Sequence, residues 1–130
     1  MARRRGFGAP GLRAGVALLA VCGGAAAADG DPVRGEQAYE ARCGACHAVE
    51  HDRIGPRHAG VLGRRAGSVP GFGYSPALRS SRVVWETATL ERWLADPEAL
   101  IPGQRMGYRL QDAALRADIV AYLATLGRTR

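Results

Sequence analysis

Five consecutive residues, Cys43-Gly44-Ala45-Cys46-His47, constrain this chain more than any other stretch. They place two thiols within one helical turn and an imidazole directly after the second. Three chemistries use that supply. A dithiol can cycle between thiol and disulfide, thiolates and imidazole can bind zinc, or the thiols can add across the vinyl groups of a haem. A closed zinc site needs four protein ligands, and these residues offer three. Dithiol redox motifs accompany a βαβ pattern, which is not found here. The motif therefore reads as a covalent attachment site for one haem c. Cys43 and Cys46 are the thioether donors, and the adjacent His47 lies under the iron as proximal ligand.

The segment ahead of the motif reads as an export signal. Arg3, Arg4 and Arg5 form a basic start, residues 14–21 are apolar, and Ala25 to Ala28 offer a small-residue cleavage site before Asp29. The apolar run falls short of the ~20 residues a membrane span requires. Residues 1–28 are thus expected to be a cleavable signal peptide and residues 29–130 a single domain in the periplasm. Leu19-Ala20-Val21-Cys22 faintly resembles a lipoprotein box, but Val21 is bulky for that position and the alanine site downstream is better. Cys22 is read as part of the signal, not as a lipid anchor.

Removing the signal changes the charge argument. The full chain carries +6, yet Arg3, Arg4, Arg5 and Arg13 fall within the signal while all 12 acidic residues follow it, leaving +2. Every basic residue is arginine; the chain has no lysine. So small a net charge, with no binding motif, excludes nucleic acid as a partner. Cys43 and Cys46 become the only thiols of the exported part, where an oxidising compartment or a cofactor would consume them.

The exported part reads as all-α. Asp31-Pro32 resembles an N-cap followed by proline at the first helical position, opening a helix to about Ala45 with Gly35 and Tyr39 on one face. A glycine inside a helix costs ~1 kcal/mol against alanine, which makes sense where another backbone packs closely. Residues 49–81 read as loop, with six glycines (Gly55, Gly60, Gly63, Gly67, Gly71, Gly73) and Pro56, Pro70 and Pro76. A loop that long is usually functional, and wrapping a flat cofactor would account for it. His51 and His58 within it are expected to be exposed loop histidines.

Thr87 begins a short amphipathic helix to about Ala95, with Leu90, Trp93 and Leu94 on one side and Pro97 ending it. A second short helical turn follows Asp96. Ile101-Pro102-Gly103 then forms a turn that delivers Met106 on an extended segment. Asp112 opens the last helix, to about Leu126, with Leu115, Ile119, Tyr122, Leu123 and Leu126 as its apolar stripe and Gly127 as its stop.

Taken together, these stretches resemble a class I cytochrome c of the mitochondrial-like type. The resemblance rests on Gly35 with Tyr39, the Cys43–His47 motif, Gly55-Pro56, and Gly60-Val61-Leu62-Gly63-Arg64. It continues through residues 67–75, Val84-Trp85, residues 94–97, Ile101-Pro102-Gly103-Gln104-Arg105-Met106 and residues 116–123. It implies the cytochrome c fold, with the first and last helices crossing at Gly35 against Tyr122 and loops wrapping one covalently bound haem. It also implies that Met106 is the distal ligand opposite His47. The Pro56 carbonyl would accept the His47 ring N–H, and Arg64, Tyr74 and Trp85 would hydrogen-bond or neutralise a haem propionate. Met106 is the only methionine after residue 28, and it stands outside any helical stripe, which suits a ligand better than core filler. Trp93 takes the place beside the methionine sulfur where the family commonly has tyrosine. Leu78, Gln104 and His58 are further departures.

The function implied is that of a periplasmic electron carrier, not an enzyme, with both axial positions filled. Its partners would be redox proteins with acidic docking patches, such as a respiratory complex, oxidase or dehydrogenase. Arg42, Arg53, Arg105 and Arg109 would face them around the haem edge. The alternative is a haem c subunit of a periplasmic oxidoreductase, for example a sulfite or thiosulfate dehydrogenase. An open-site haem enzyme or gas sensor would need Met106 to be labile.

Overall fold

The computed structural model describes residues 29–127, so the proposed signal peptide, Cys22 and the last three residues lie outside the described part. Five helices follow in order: α1 Pro32–Arg42, α2 Pro76–Ser80, α3 Thr87–Ala95, α4 Pro97–Leu100 and α5 Ala113–Thr125. Among the described residues the only strand-like pairing is an isolated bridge between Arg65 and Val84.

The ends of the helices follow local chemistry. Asp31 caps α1, its carboxylate accepting the N–H groups of Val33 and Arg34 at 2.8 and 3.1 Å, while Pro32 supplies a preset φ at the first position. Asp112 caps α5 through the Leu115 N–H at 3.1 Å. Asp96 caps α4 through the Ala99 N–H at 3.2 Å. Each cap satisfies a donor that the first helical turn leaves free.

Helix α1 stops at Arg42, three residues before the expected Ala45. The N–H groups of Cys43 and Gly44 share the Tyr39 carbonyl, at 2.7 and 3.1 Å, and the chain then turns on the Cys43 carbonyl. The cysteine motif therefore occupies a tight turn after the helix. The stretch expected to be loop contains α2, capped by the Ser75 hydroxyl on the Leu78 N–H at 3.2 Å. Ser75-Pro76 carries the start signal, but five residues are too few for periodicity to reveal.

Helix α5 packs against both α1 and α3, which explains why Val120, outside the expected stripe, is as buried as Ile119. At the α1 crossing, a Cβ on Gly35 would fall on the Asp118 carbonyl and against Tyr122 Cβ. Asp118, also outside the stripe, ties the two helices. It accepts the Asp31 N–H at 2.7 Å and two guanidinium N–H groups of Arg34 at 2.9 Å each. These hydrogen bonds hold its carboxyl below the usual carboxylate range, the Arg34 contact contributing most.

The loop after the motif is held to this frame by backbone hydrogen bonds. Gly60 donates to Leu126 at 2.8 Å, Gly63 to Trp85 at 2.7 Å and Ala66 to Val83 at 2.8 Å. Gly67 has φ +69 and lies where a Cβ would overlap the Leu78 carbonyl, so only glycine fits without strain. These contacts bring α2, α3 and the loop around one large cavity.

Candidate cofactor site

A cavity of about 430 Å³ opens between the loop, α3 and α5. All nine residues singled out from the sequence line it. Cys43, Cys46 and His47 come from the turn after α1, and Pro56 and Arg64 from the first half of the loop. Tyr74 and Trp85 flank α2, Trp93 belongs to α3, and Met106 lies on the segment before α5. The rest of the wall is largely aliphatic, with Val61, Leu78, Leu90, Leu94, Ile119 and Leu123.

The His47 side chain is tightly confined. Its Nδ1–H donates to the Pro56 carbonyl at 2.8 Å, which leaves Nε2 as the ring nitrogen with a free lone pair. A Cβ on Gly55 would fall on the imidazole, so the backbone can pass there only as glycine. Burial pushes the His47 pKa down, partly offset by the Pro56 hydrogen bond, favouring the neutral ring that a metal needs. Cys43 is half-buried and Cys46 exposed. Burial, with Cys46 adding, pushes the free Cys43 thiol up to about 11.

Met106 is partly buried against the core. Its segment is clamped by Gln104, whose side-chain oxygen accepts the Met106 and Gly107 N–H groups at 2.6 and 3.3 Å. Glu98 anchors the clamp from α4, accepting from Gln104 Nε2 at 3.1 Å and from the Gly103 N–H at 2.9 Å. Gln104, noted from the sequence only as a departure, thus replaces missing secondary structure with side-chain acceptors.

The polar residues of the wall are positioned by backbone groups. Arg64 donates to the carbonyls of Ala59 and Arg57 at 2.9 Å each. The Tyr74 hydroxyl accepts the Val69 N–H at 3.3 Å and keeps its own proton to donate; burial pushes its pKa up. Trp85 and Trp93 are both buried, their rings tilted at 57° with centroids 5.2 Å apart. Arg42 and Arg105 are exposed and border the cavity, as does Ile54. Arg53 is exposed and donates to the Gly44 carbonyl, whereas Arg109 pairs with Asp96 at 3.1 Å.

His51 is exposed as expected, but His58 is not. Its ring stacks on His47 with centroids 4.2 Å apart and planes 19° from parallel. Its Nδ1 is hydrogen-bonded to the Tyr39 hydroxyl at 2.9 Å, and this bond makes the burial tolerable. No sequence signal links residues 39, 47 and 58, since the loop path alone brings them together.

The chemistry of this set suits a haem. It combines two thiols at one edge, a neutral imidazole with Nε2 free, a thioether, and an apolar wall with a few oriented donors. It does not suit zinc, because among the described residues no group of three or more His, Cys, Asp or Glu side chains could hold a metal ion.

Comparison with known proteins agrees. Residues 32–127 match the family model described as cytochrome c. Cytochrome c2 of Rhodomicrobium vannielii is 41% identical over 114 residues, covering 85% of this chain and 90% of that protein. Cytochrome c2 of Rhodopila globiformis is 41% identical over 100 residues, 75% of this chain and 94% of the relative. Among solved structures, cytochrome cH from Methylobacterium extorquens superposes with a TM-score of 0.70 at 41% identity, covering 74% of this chain and 99% of its own. Cytochrome c2 from Rhodospirillum centenum gives 0.72 at 30% identity, covering 75% and 99%. With fold, cavity and relatives in agreement, the chain belongs to the cytochrome c family, as a cytochrome c2-like electron-transfer protein with one covalently attached haem c rather than an enzyme.

Proposed function

We propose that residues 1–28 direct export and are removed, and that residues 29–130 work as a soluble single-electron shuttle in the periplasm. His47 and Met106 are the two residues that would ligate the iron of a bound haem. The observation that carries this reading is that His47, with Nε2 free, and the clamped Met106 line one cavity with both cysteines. When bound, the haem supplies reversible one-electron chemistry at iron. Pro56 orients His47 and Gln104 holds the Met106 segment, so the protein itself keeps both donors aimed at the cavity. With the imidazole and the thioether both committed to the iron, these residues would leave no open position for water or substrate. Arg64, Tyr74 and Trp85 supply the polar contacts for the propionates, and Trp93 packs beside Trp85 on the α3 wall.

Export is supported by the basic start, the short apolar run and the alanine site of residues 1–28. No helix among the described residues is long and apolar enough to cross a membrane. The partner is a redox protein with an acidic docking patch, attracted by Arg42 and Arg105 where they border the cavity.

An optical spectrum of the exported protein tests the ligation directly. A low-spin covalent haem with the weak long-wavelength methionine–ferric band, and no response of the reduced form to carbon monoxide, is the expected result. A high-spin spectrum that shifts with carbon monoxide would remove Met106 as a ligand. N-terminal sequencing of the mature protein checks cleavage after Ala28.

A further inference from the structure

His58 lies outside the attachment motif, yet its ring is laid flat on the motif's histidine. We propose that His58 is a positioning residue that sets the rotation of the His47 ring about its bond to iron, and that Tyr39 holds His58 in that pose. The proposal rests on His47 being an axial ligand, as read above.

The His47 side chain has one polar tether, from Nδ1 to the Pro56 carbonyl at 2.8 Å. A single hydrogen bond fixes one edge of a ring and leaves it free to tilt about that edge. Contacts on the ring face decide the tilt. Gly55 offers only backbone there, because a Cβ would overlap the ring. His58 offers a plane, at 4.2 Å and 19°. An aliphatic side chain of similar size would present a rounded, rotameric surface in its place.

His58 can act as a template because it is itself fixed. Its N–H donates to the Ala48 carbonyl at 3.1 Å and its carbonyl accepts the Val61 N–H at 3.0 Å. Its Nδ1 is hydrogen-bonded to Tyr39 at 2.9 Å, with the two rings edge to face at 65°. Tyr39 is buried in α1 and lies against Tyr122 of α5, centroids 5.3 Å apart. The helix crossing is thereby connected through Tyr39 and His58 to the plane of His47. Groups behind a metal-ligating histidine orient it and tune the metal.

In an oxidised low-spin haem, the axial imidazole plane determines how unpaired spin spreads over the porphyrin, so the proton NMR shifts of the four haem methyls report it. The experiment compares oxidised holoprotein of the wild type with His58→Ala, His58→Phe and Tyr39→Phe. The expected result is a changed spread and order of methyl shifts in His58→Ala, with a smaller change in both His58→Phe, which keeps a flat ring but loses the Tyr39 hydrogen bond, and Tyr39→Phe, which loses the same bond from the other side. A low-spin His58→Ala protein with the wild-type methyl pattern would overturn the proposal, even if its stability had fallen. Should His58→Ala not accumulate folded, Tyr39→Phe decides, since it removes one hydroxyl and an unchanged pattern there defeats the relay. The wild-type optical spectrum separates the two levels: a high-spin wild type defeats the ligation reading itself, whereas low-spin variants with unmoved methyls defeat only the role of His58.

Discussion

Gly35 of α1 and Asp118 of α5 meet backbone to backbone, so closely that a methyl group on Gly35 would occupy the position of the Asp118 carbonyl. This contact lets the two longest helices cross at the depth that closes the cavity floor, with Ile119 and Leu123 facing the cofactor space.

Gly35→Ala is expected to destabilise the protein despite the better helix propensity of alanine. Propensity alone favours alanine by ~1 kcal/mol, while forcing a methyl into a packed backbone contact costs about 1–3 kcal/mol or more. Urea unfolding measures the sign. A raised midpoint would mean that the helices can separate without loss.

Asp118→Asn is expected to lower stability at neutral pH and to matter progressively less in acid. The folded-state pKa of Asp118 lies below its ordinary value of 3.8, so the ionised group stabilises the fold fully above that value. The contribution is lost as pH falls through the folded-state pKa. Unfolding midpoints of wild type and variant should therefore converge below about pH 4. A gap that persists unchanged into strong acid would assign the effect to packing.

The stripe of α3 and the starts of α4 and α5 were legible because each is a local signal: Asp112 and Asp96 bond N–H groups three residues on. The cysteine motif and the Met106 turn were legible for the same reason, being contiguous. What the sequence did not disclose is non-local. The burial of Val120 depends on α5 having two neighbours, and the Tyr39–His58–His47 stack depends on the route of a loop with no periodicity. Arg64 was expected to serve a propionate, and its anchoring by the Ala59 and Arg57 carbonyls could be seen only once the turn around Gly60 was in place.

Gln104→Ala is expected to loosen the Met106 segment. Two backbone N–H groups lose their acceptor, for a stability cost of about 1 kcal/mol, and external ligands should compete better for the iron. Titration of the oxidised protein with imidazole should show roughly fivefold tighter binding, that ~1 kcal/mol expressed as an equilibrium constant. Unchanged imidazole affinity would show that the clamp does not govern the methionine.

Arg42→Glu and Arg105→Glu are each expected to slow electron transfer to an acidic partner several-fold at low ionic strength, with the difference from wild type shrinking as salt screens the charges. Arg109→Glu should have a weaker effect, because Asp96 already neutralises Arg109. Stopped-flow rates against ionic strength distinguish the positions. Equal slopes for all variants and the wild type would exclude steering by this rim.

The exposed charges that border the cavity, Arg42 and Arg105, are both guanidinium groups, in a chain with no lysine. A guanidinium is a planar fork of five N–H donors, so this rim can grip a partner's carboxylate through two parallel hydrogen bonds, where an ammonium would offer only a point charge. Reagents and enzymes that acylate ε-amino groups have no target on it. The docking contact is thus defined by direction as well as by charge, and exchanging either arginine for lysine would keep the sign of the rim while losing its fork.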